Sequence, residues 1–120
     1  NSKDDKLYPL DIMYIKFLMK DRYYKKDAFM QLMDPVKKML SPNHIMIEFA
    51  KGEFILLLYR TKESKAKEIR LSVEAYLKKE MKEYDMKMVG QHAFISVDYK
   101  EKVVLIFEKM RTKMEKEEWK

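Results

Sequence analysis

The stretch from His44 to Tyr59, H-I-M-I-E-F-A-K-G-E-F-I-L-L-L-Y, decides the fold. Two apolar runs, Ile45–Phe49 and Phe54–Tyr59, flank Ala50-Lys51-Gly52, a connection short enough to force an antiparallel hairpin. Gly52 is one of 2 glycines in the chain and sits where a three-residue turn needs positive φ. In the first run Ile45, Ile47 and Phe49 share one face and Met46 and Glu48 the other, the alternation of a half-buried strand. The second run, Phe54 to Leu58, is apolar without a break, which predicts that both its faces are covered. A central hairpin buried by helices is the expected organising unit.

The chain of 120 residues is read as one domain, Leu10 to Lys120, after a disordered or linker-like start over residues 1–9. Its 47% hydrophobic and 38% charged residues match a folded, soluble protein rather than a disordered one. No apolar run approaches the roughly 20 residues needed to cross a bilayer, and no signal peptide opens the chain. The absence of cysteine excludes disulfides, thiolate metal sites and cysteine nucleophiles, and fits a reducing, cytoplasmic setting. The 11 methionines suit a forgiving core rather than a cofactor box.

The net charge of +6 raises a nucleic-acid reading, but 26 basic residues face 20 acidic ones, mostly interspersed. Over Lys62–Glu83 and Lys100–Lys120 the mixture reads as solvated helix faces with supporting i,i+4 pairs. One local excess stands out. Lys16, Lys20, Arg22, Lys25 and Lys26 oppose Asp21 alone, with Tyr23 and Tyr24 among them. Basic and aromatic side chains together hold phosphates and stack bases, whereas the plainer reading is a solvated loop over half-buried tyrosines.

Asn1–Lys6 is polar and expected to fray, and an opening without an initiator methionine suggests a fragment or a processed chain. Leu10–Met19 reads as a strand that Pro9 can precede. Asp27 is placed as the N-cap of a helix whose stripe is Ala28, Phe29, Leu32, Met33, Val36, Met39 and Leu40. Pro35 is expected to kink that helix or split it after Asp34. Ser41-Pro42-Asn43 is a turn into the hairpin. Beyond the hairpin, Thr61 is placed as the cap of a long helix carrying Ala66, Ile69, Val73, Tyr76, Leu77 and Met81. A strand containing A-F-I-S-V ends near Val97, and a last helix presents Val103, Ile106, Phe107, Met110 and Met114. The order β-α-β-β-α-β-α gives an α+β sandwich, ferredoxin-like, with a central antiparallel sheet and helices largely on one face.

That order, with a hairpin turn ending in Gly-Glu-Phe, resembles the GGDEF domain of diguanylate cyclases from about Leu10 to Glu118. Phe49-Ala50-Lys51-Gly52-Glu53-Phe54 stands where the family carries an aromatic residue and then G-G-(D/E)-E-F. The helix from Lys26-Asp27 is similar to the one that follows the family's G-D-x-x-L. Phe94-Ile95-Ser96-Val97 resembles its V-S-I-G strand, and Ile106–Met114 its A-D-x-A-M-Y-x-A-K helix. The resemblance implies a nucleotidyl-cyclase-like fold and, in active members, magnesium-dependent condensation of a nucleoside triphosphate.

The departures from the pattern bear on that activity. The family's turn glycines let backbone approach the nucleotide, and the third turn residue is an acid that ligates magnesium. Here those positions hold Ala50, Lys51 and Gly52, so the acid is missing, while Glu53 matches the fourth residue. Asp11 is the candidate for the second metal-binding acid, although Lys6-Leu7-Tyr8-Pro9 before it makes a poor strand, so Asp11 begins the strand rather than ending it. The family's base-recognising asparagine falls near Met19, and Asp27 can match its base-recognising aspartate. Its triphosphate-holding lysine and arginine fall on Met114 and Glu118, and its R-x-x-D product-inhibition motif on Ser41-Pro42-Asn43-His44. The chain is also short between Lys16 and Lys26, where substrate would lie.

Phosphoryl transfer needs divalent metal and cations to offset triphosphate charge, and these replacements work against both. The expectation is a degenerate, non-catalytic GGDEF-like regulatory domain. Its partners would be a protein, other domains of a larger signalling protein, soluble or membrane-anchored, or a nucleotide held by Asp27, Lys51, Gly52 and Glu53. No cofactor is expected, and magnesium only alongside residual nucleotide binding. The alternatives are a small basic RNA- or DNA-binding domain using the Lys16–Lys26 cluster, and residual nucleotide-processing activity. A His92–Asp98–Ser96 arrangement lacks any oxyanion loop, and His44 and His92 have no zinc-type spacing.

Overall fold

The computed structural model describes residues 9–19, 25–82, 87–95, 105 and 108–112. Strand β1 (Leu10–Leu18) leads to helix α1 (Lys26–Met39), the hairpin strands β2 (Ile45–Ala50) and β3 (Glu53–Leu58), helix α2 (Glu63–Met81) and strand β4 (Lys87–Ile95). Residues 105 and 108–112 are helical. The strands form one sheet in the order β2-β3-β1-β4 with every pairing antiparallel. This is the α+β, ferredoxin-like arrangement expected from the element order. The β4 strand begins earlier than the composition suggested and runs through Gly90, while Ser96 to Asp98 lie outside the described residues.

Period-2 alternation sorts the sheet into two faces. Met13, Ile15 and Phe17 of β1 and Phe54, Leu56 and Leu58 of β3 are buried against Phe29, Leu32, Met33 and Val36 of α1 and Ala66, Ile69, Val73 and Leu77 of α2. The opposite face carries Leu10, Ile12 and Tyr14, with Met110 packed on them and Ile55, Leu57 and Tyr59 half-buried around them. The β3 strand is therefore covered on both faces, fully on its helix side and, among the described residues, partly on the other.

The register decides which face of β2 points inward. Met46 pairs with Leu56 and Glu48 with Phe54, so these two point toward the helices. Ile45, Ile47 and Phe49 point the other way and are 42%, 44% and 38% exposed. Phe54 and Leu56 are committed to the core, and a paired strand must place its partners on the same side.

Both helix caps also differ from expectation. Lys25, not Asp27, occupies the N-cap of α1, with no side-chain cap bond, and Asp27 lies in the first turn, where its charge suits the helix dipole. Of the kink or split expected at Pro35, the split does not occur: α1 runs on through Pro35 to Met39. Lys62 is the N-cap of α2, because the Thr61 hydroxyl is engaged elsewhere: it donates to the Tyr59 carbonyl at 2.7 Å and lies 2.8 Å from His44 Nε2.

Candidate functional site

The turn joining β2 to β3 is built by Gly52, which has φ +71 and is buried. Its carbonyl accepts from the Phe17 amide at 2.8 Å, locking the turn against the end of β1. Its amide donates to Glu48 Oε2 at 3.2 Å. A Cβ on Gly52 would stand 2.9 Å from the Met19 methyl. Close approach here serves chain packing. At the position where the resemblance places a base-recognising asparagine, an apolar Met19 lies against the glycine.

Glu53 pairs across with Lys16 and points to the sheet face opposite the two long helices. Tyr14 donates its hydroxyl to Glu53 Oε1, and Arg111 interacts with the same tyrosine. Burial, followed by the Glu53 carboxylate, pushes the Tyr14 hydroxyl up from its usual range, so the phenol stays protonated and donating. Phe49 meets the Tyr14 ring edge-on at 5.3 Å. Lys51 is exposed at the tip of the turn.

Asp27 belongs to the same end of the domain but to the other face. Phe29, one half-turn further along α1, packs on Phe17 at 5.3 Å and on Phe54 at 6.3 Å, so the start of α1 sits near the turn. Asp27 itself is exposed there. The structure thus groups Lys51, Gly52 and Glu53 by chain connectivity and leaves Asp27 across the sheet from the Glu53 carboxylate.

Asp11 sits at the far end of β1. It pairs with Leu58, whereas Lys16 pairs with Glu53. Five residue steps along the strand separate the two positions, about 17 Å at strand rise. In place of the turn, Asp11 meets Arg70 of α2 and His92 of β4: Arg70 is 3.5 Å from Oδ2 and His92 Nδ1 is 3.4 Å from Oδ1. Arg70 also approaches His92 Nδ1 at 3.3 Å. Asp11 is fully buried, and Oδ2 lacks a hydrogen bond of good geometry. Burial raises its carboxyl from the usual range, opposed by His92, Arg70 and the Ile12 amide. Sequence reading missed this cluster; an aspartate on the core-facing side of an apolar strand was the one signal for it.

The basic cluster is only partly placed. Lys16 stands mid-sheet opposite Glu53, while Lys25 and Lys26 are exposed at the start of α1. Lys20, Arg22, Tyr23 and Tyr24 lie outside the described residues, as do Met114 and Glu118.

The donors at the turn do not fit magnesium. Its third position is Gly52, the Glu48 carboxylate holds the turn amide and the Glu53 carboxylate holds Tyr14. Among the described residues no three His, Cys, Asp or Glu side chains group to hold a metal ion. Nor is any helix among them long and apolar enough to cross a membrane.

No protein-family model matches the chain, and no curated protein matches it by sequence. Among solved structures, a DGC protein from Thermotoga maritima is similar, with a TM-score of 0.62 and 14% identity. The match covers 89% of this chain and 76% of that one. At this identity the likeness is one of fold. The fold is therefore similar to that of this DGC protein.

Proposed function

We propose that this chain is a catalytically silent GGDEF-like domain with a regulatory role, cytoplasmic in setting, that acts by binding a protein, neighbouring domains or a nucleotide. The observation that carries the reading is the self-satisfied turn: Glu48 takes the Gly52 amide and Glu53 takes the Tyr14 hydroxyl. In the cyclases it resembles, that turn offers its backbone to nucleotide and an acid to magnesium. Here a carboxylate already sits on the amide that would face a phosphate, and glycine stands where the acid would be. An incoming triphosphate would meet two carboxylates without the metal needed to offset them.

The deciding experiment has two arms. The first incubates the chain with GTP and magnesium and follows cyclic dinucleotide, with none expected; measured condensation would overturn the silent reading. The second is calorimetric titration with GTP, ATP and cyclic dinucleotides. Heat with any of these that Lys51→Ala weakens assigns the turn to nucleotide, and no heat with all of them leaves the protein-binding form of the proposal.

A further inference from the structure

We propose that the cleft between α2 and β4 binds a free α-amino acid with an apolar side chain, Arg70 taking its carboxylate and Glu74 its ammonium group. The cleft, of about 210 Å³, lies beside β4, at the opposite edge of the sheet from the β2–β3 hairpin. That volume is below the roughly 300–1,000 Å³ of drug-sized sites and suits a small metabolite. Three levels of residues run along it. Arg70 meets His92 at 3.3 Å at one end, Glu74 and Gly90 follow, and Lys78 and Met88 line the other end. Four steps of strand and eight of helix both span about 12–13 Å, which keeps the levels in step.

Gly90 opens the floor. It pairs with Ile15, which is buried, yet is itself exposed. A Cβ there would meet nothing closer than the Tyr14 carbonyl oxygen at 3.5 Å, so no close approach of backbone requires the glycine. The missing side chain leaves an apolar trough walled by fully buried Val73 and Leu77 and half-buried Met88.

The polar groups beside the trough match a zwitterion. Arg70 turns a single nitrogen, Nη1, to both Asp11 and His92. Among the described residues its Nε and Nη2 make no hydrogen bond, and together they form the fork that fits a carboxylate. Asp11, fully buried behind the guanidinium, is the positioning residue. Glu74 is half-buried one helical turn further on. It closes no ion pair with Arg70 or Lys78 among the described residues, whereas the exposed pairs Lys38–Asp34 and Lys65–Glu68 do close. A cation and an anion one turn apart take the two charged groups of one α-amino acid, and its side chain then falls into the trough over Gly90.

Calorimetric titration with L-leucine, L-valine and L-methionine tests this, beside isocaproate, which is leucine without the amine, and isoamylamine, which is leucine without the carboxylate. At least one of the amino acids should give heat in the micromolar to millimolar range, and each leucine analogue should bind at least tenfold more weakly than leucine. Glu74→Gln should weaken amino-acid binding at least tenfold with an unchanged circular dichroism spectrum. Gly90→Val, which fills the trough, should abolish binding without lowering the melting temperature, since the Cβ has room and valine suits a strand. Lys51→Ala should leave amino-acid binding unchanged, so this inference and the nucleotide reading of the turn fail separately. No heat with any of the three amino acids, an analogue as tight as leucine, or binding that survives Glu74→Gln or Gly90→Val would overturn the proposal.

Discussion

The Glu48 carboxylate accepts the Gly52 amide at 3.2 Å, four residues apart across the bend of the hairpin. The bond spans the register shift between Glu48 and Ala50, where an extra residue must be absorbed before β3 begins. Gly52 closes the bend at φ +71, a region in which a side chain costs energy. The turn is thus held by its own acid and its own glycine, with Phe17 bonded to the glycine carbonyl on the other side.

Gly52→Ala should therefore destabilise the fold by about 1–2 kcal/mol, mostly from backbone conformation. The Met19 methyl, 2.9 Å from the new Cβ, is the free end of a flexible side chain and can move aside. Adding Met19→Ala should recover only a minor part of the loss, and Gly52→Val should cost more than alanine. Urea denaturation of the four proteins checks this. An alanine variant as stable as the parent would mean that the bend does not require a left-handed residue.

Asp11 predicts an unusual pH trend. Its folded carboxyl binds a proton more tightly than the unfolded one, because burial outweighs His92, Arg70 and the Ile12 amide. Its contribution to stability is then full below pH 3.8 and lost as pH rises through the raised folded value. Asp11→Asn should be more stable than the parent at neutral pH, with the gap closing toward pH 3.8. Arg70→Met should have the opposite effect at neutral pH, costing roughly 3–5 kcal/mol by leaving a buried charge with one partner fewer. Equal unfolding midpoints for parent and Asp11→Asn at all pH values would show that the carboxyl carries no net burial cost.

His44 titrates with the reverse sign. Nδ1 accepts the Ser41 amide at 3.1 Å, so the ring hydrogen is on Nε2 and points to the Thr61 hydroxyl at 2.8 Å, which in turn donates to the Tyr59 carbonyl. Burial lowers the imidazole from its usual value of 6.5. Protonation would remove the acceptor that Ser41 uses. The stability from this relay is full above pH 6.5 and is lost as pH falls through the lowered value. Thermal melts below pH 6.5 should show the parent losing more stability than His44→Gln, and parallel curves would sink the assignment.

The hairpin, the helix stripes and the element order were legible because each is a local periodicity. The alternation in Ile45–Phe49 was also legible, but not which side faced inward. That depends on Phe54 and Leu56 across the pair, whose burial is set by α1 and α2. The Thr61 hydroxyl looked like a cap because the sequence does not reveal that His44, 17 residues earlier, lies within reach of it. Asp11 and His92 are 81 residues apart and meet only through the β1–β4 register, so no spacing rule could pair them. At the turn Gly52 was visible in the letters, whereas the contacts that Glu48, Tyr14 and Met19 make around the turn needed coordinates.

Pro35 offers the last test. It lies well inside α1, which continues unbroken to Met39, so its ring crowds the preceding turn and the Gln31 carbonyl loses its normal helical donor. The neighbours Val36 and Met33 are buried in the main core, and their packing holds the helix together against that cost. Pro35→Ala should restore one backbone hydrogen bond and stabilise the domain by about 1–3 kcal/mol, less whatever rigidity proline gave the unfolded chain. The same variant should slow amide exchange in the Pro35–Met39 turn relative to α2. If it destabilises instead, the half-buried ring at position 35 contributes packing that outweighs the missing donor.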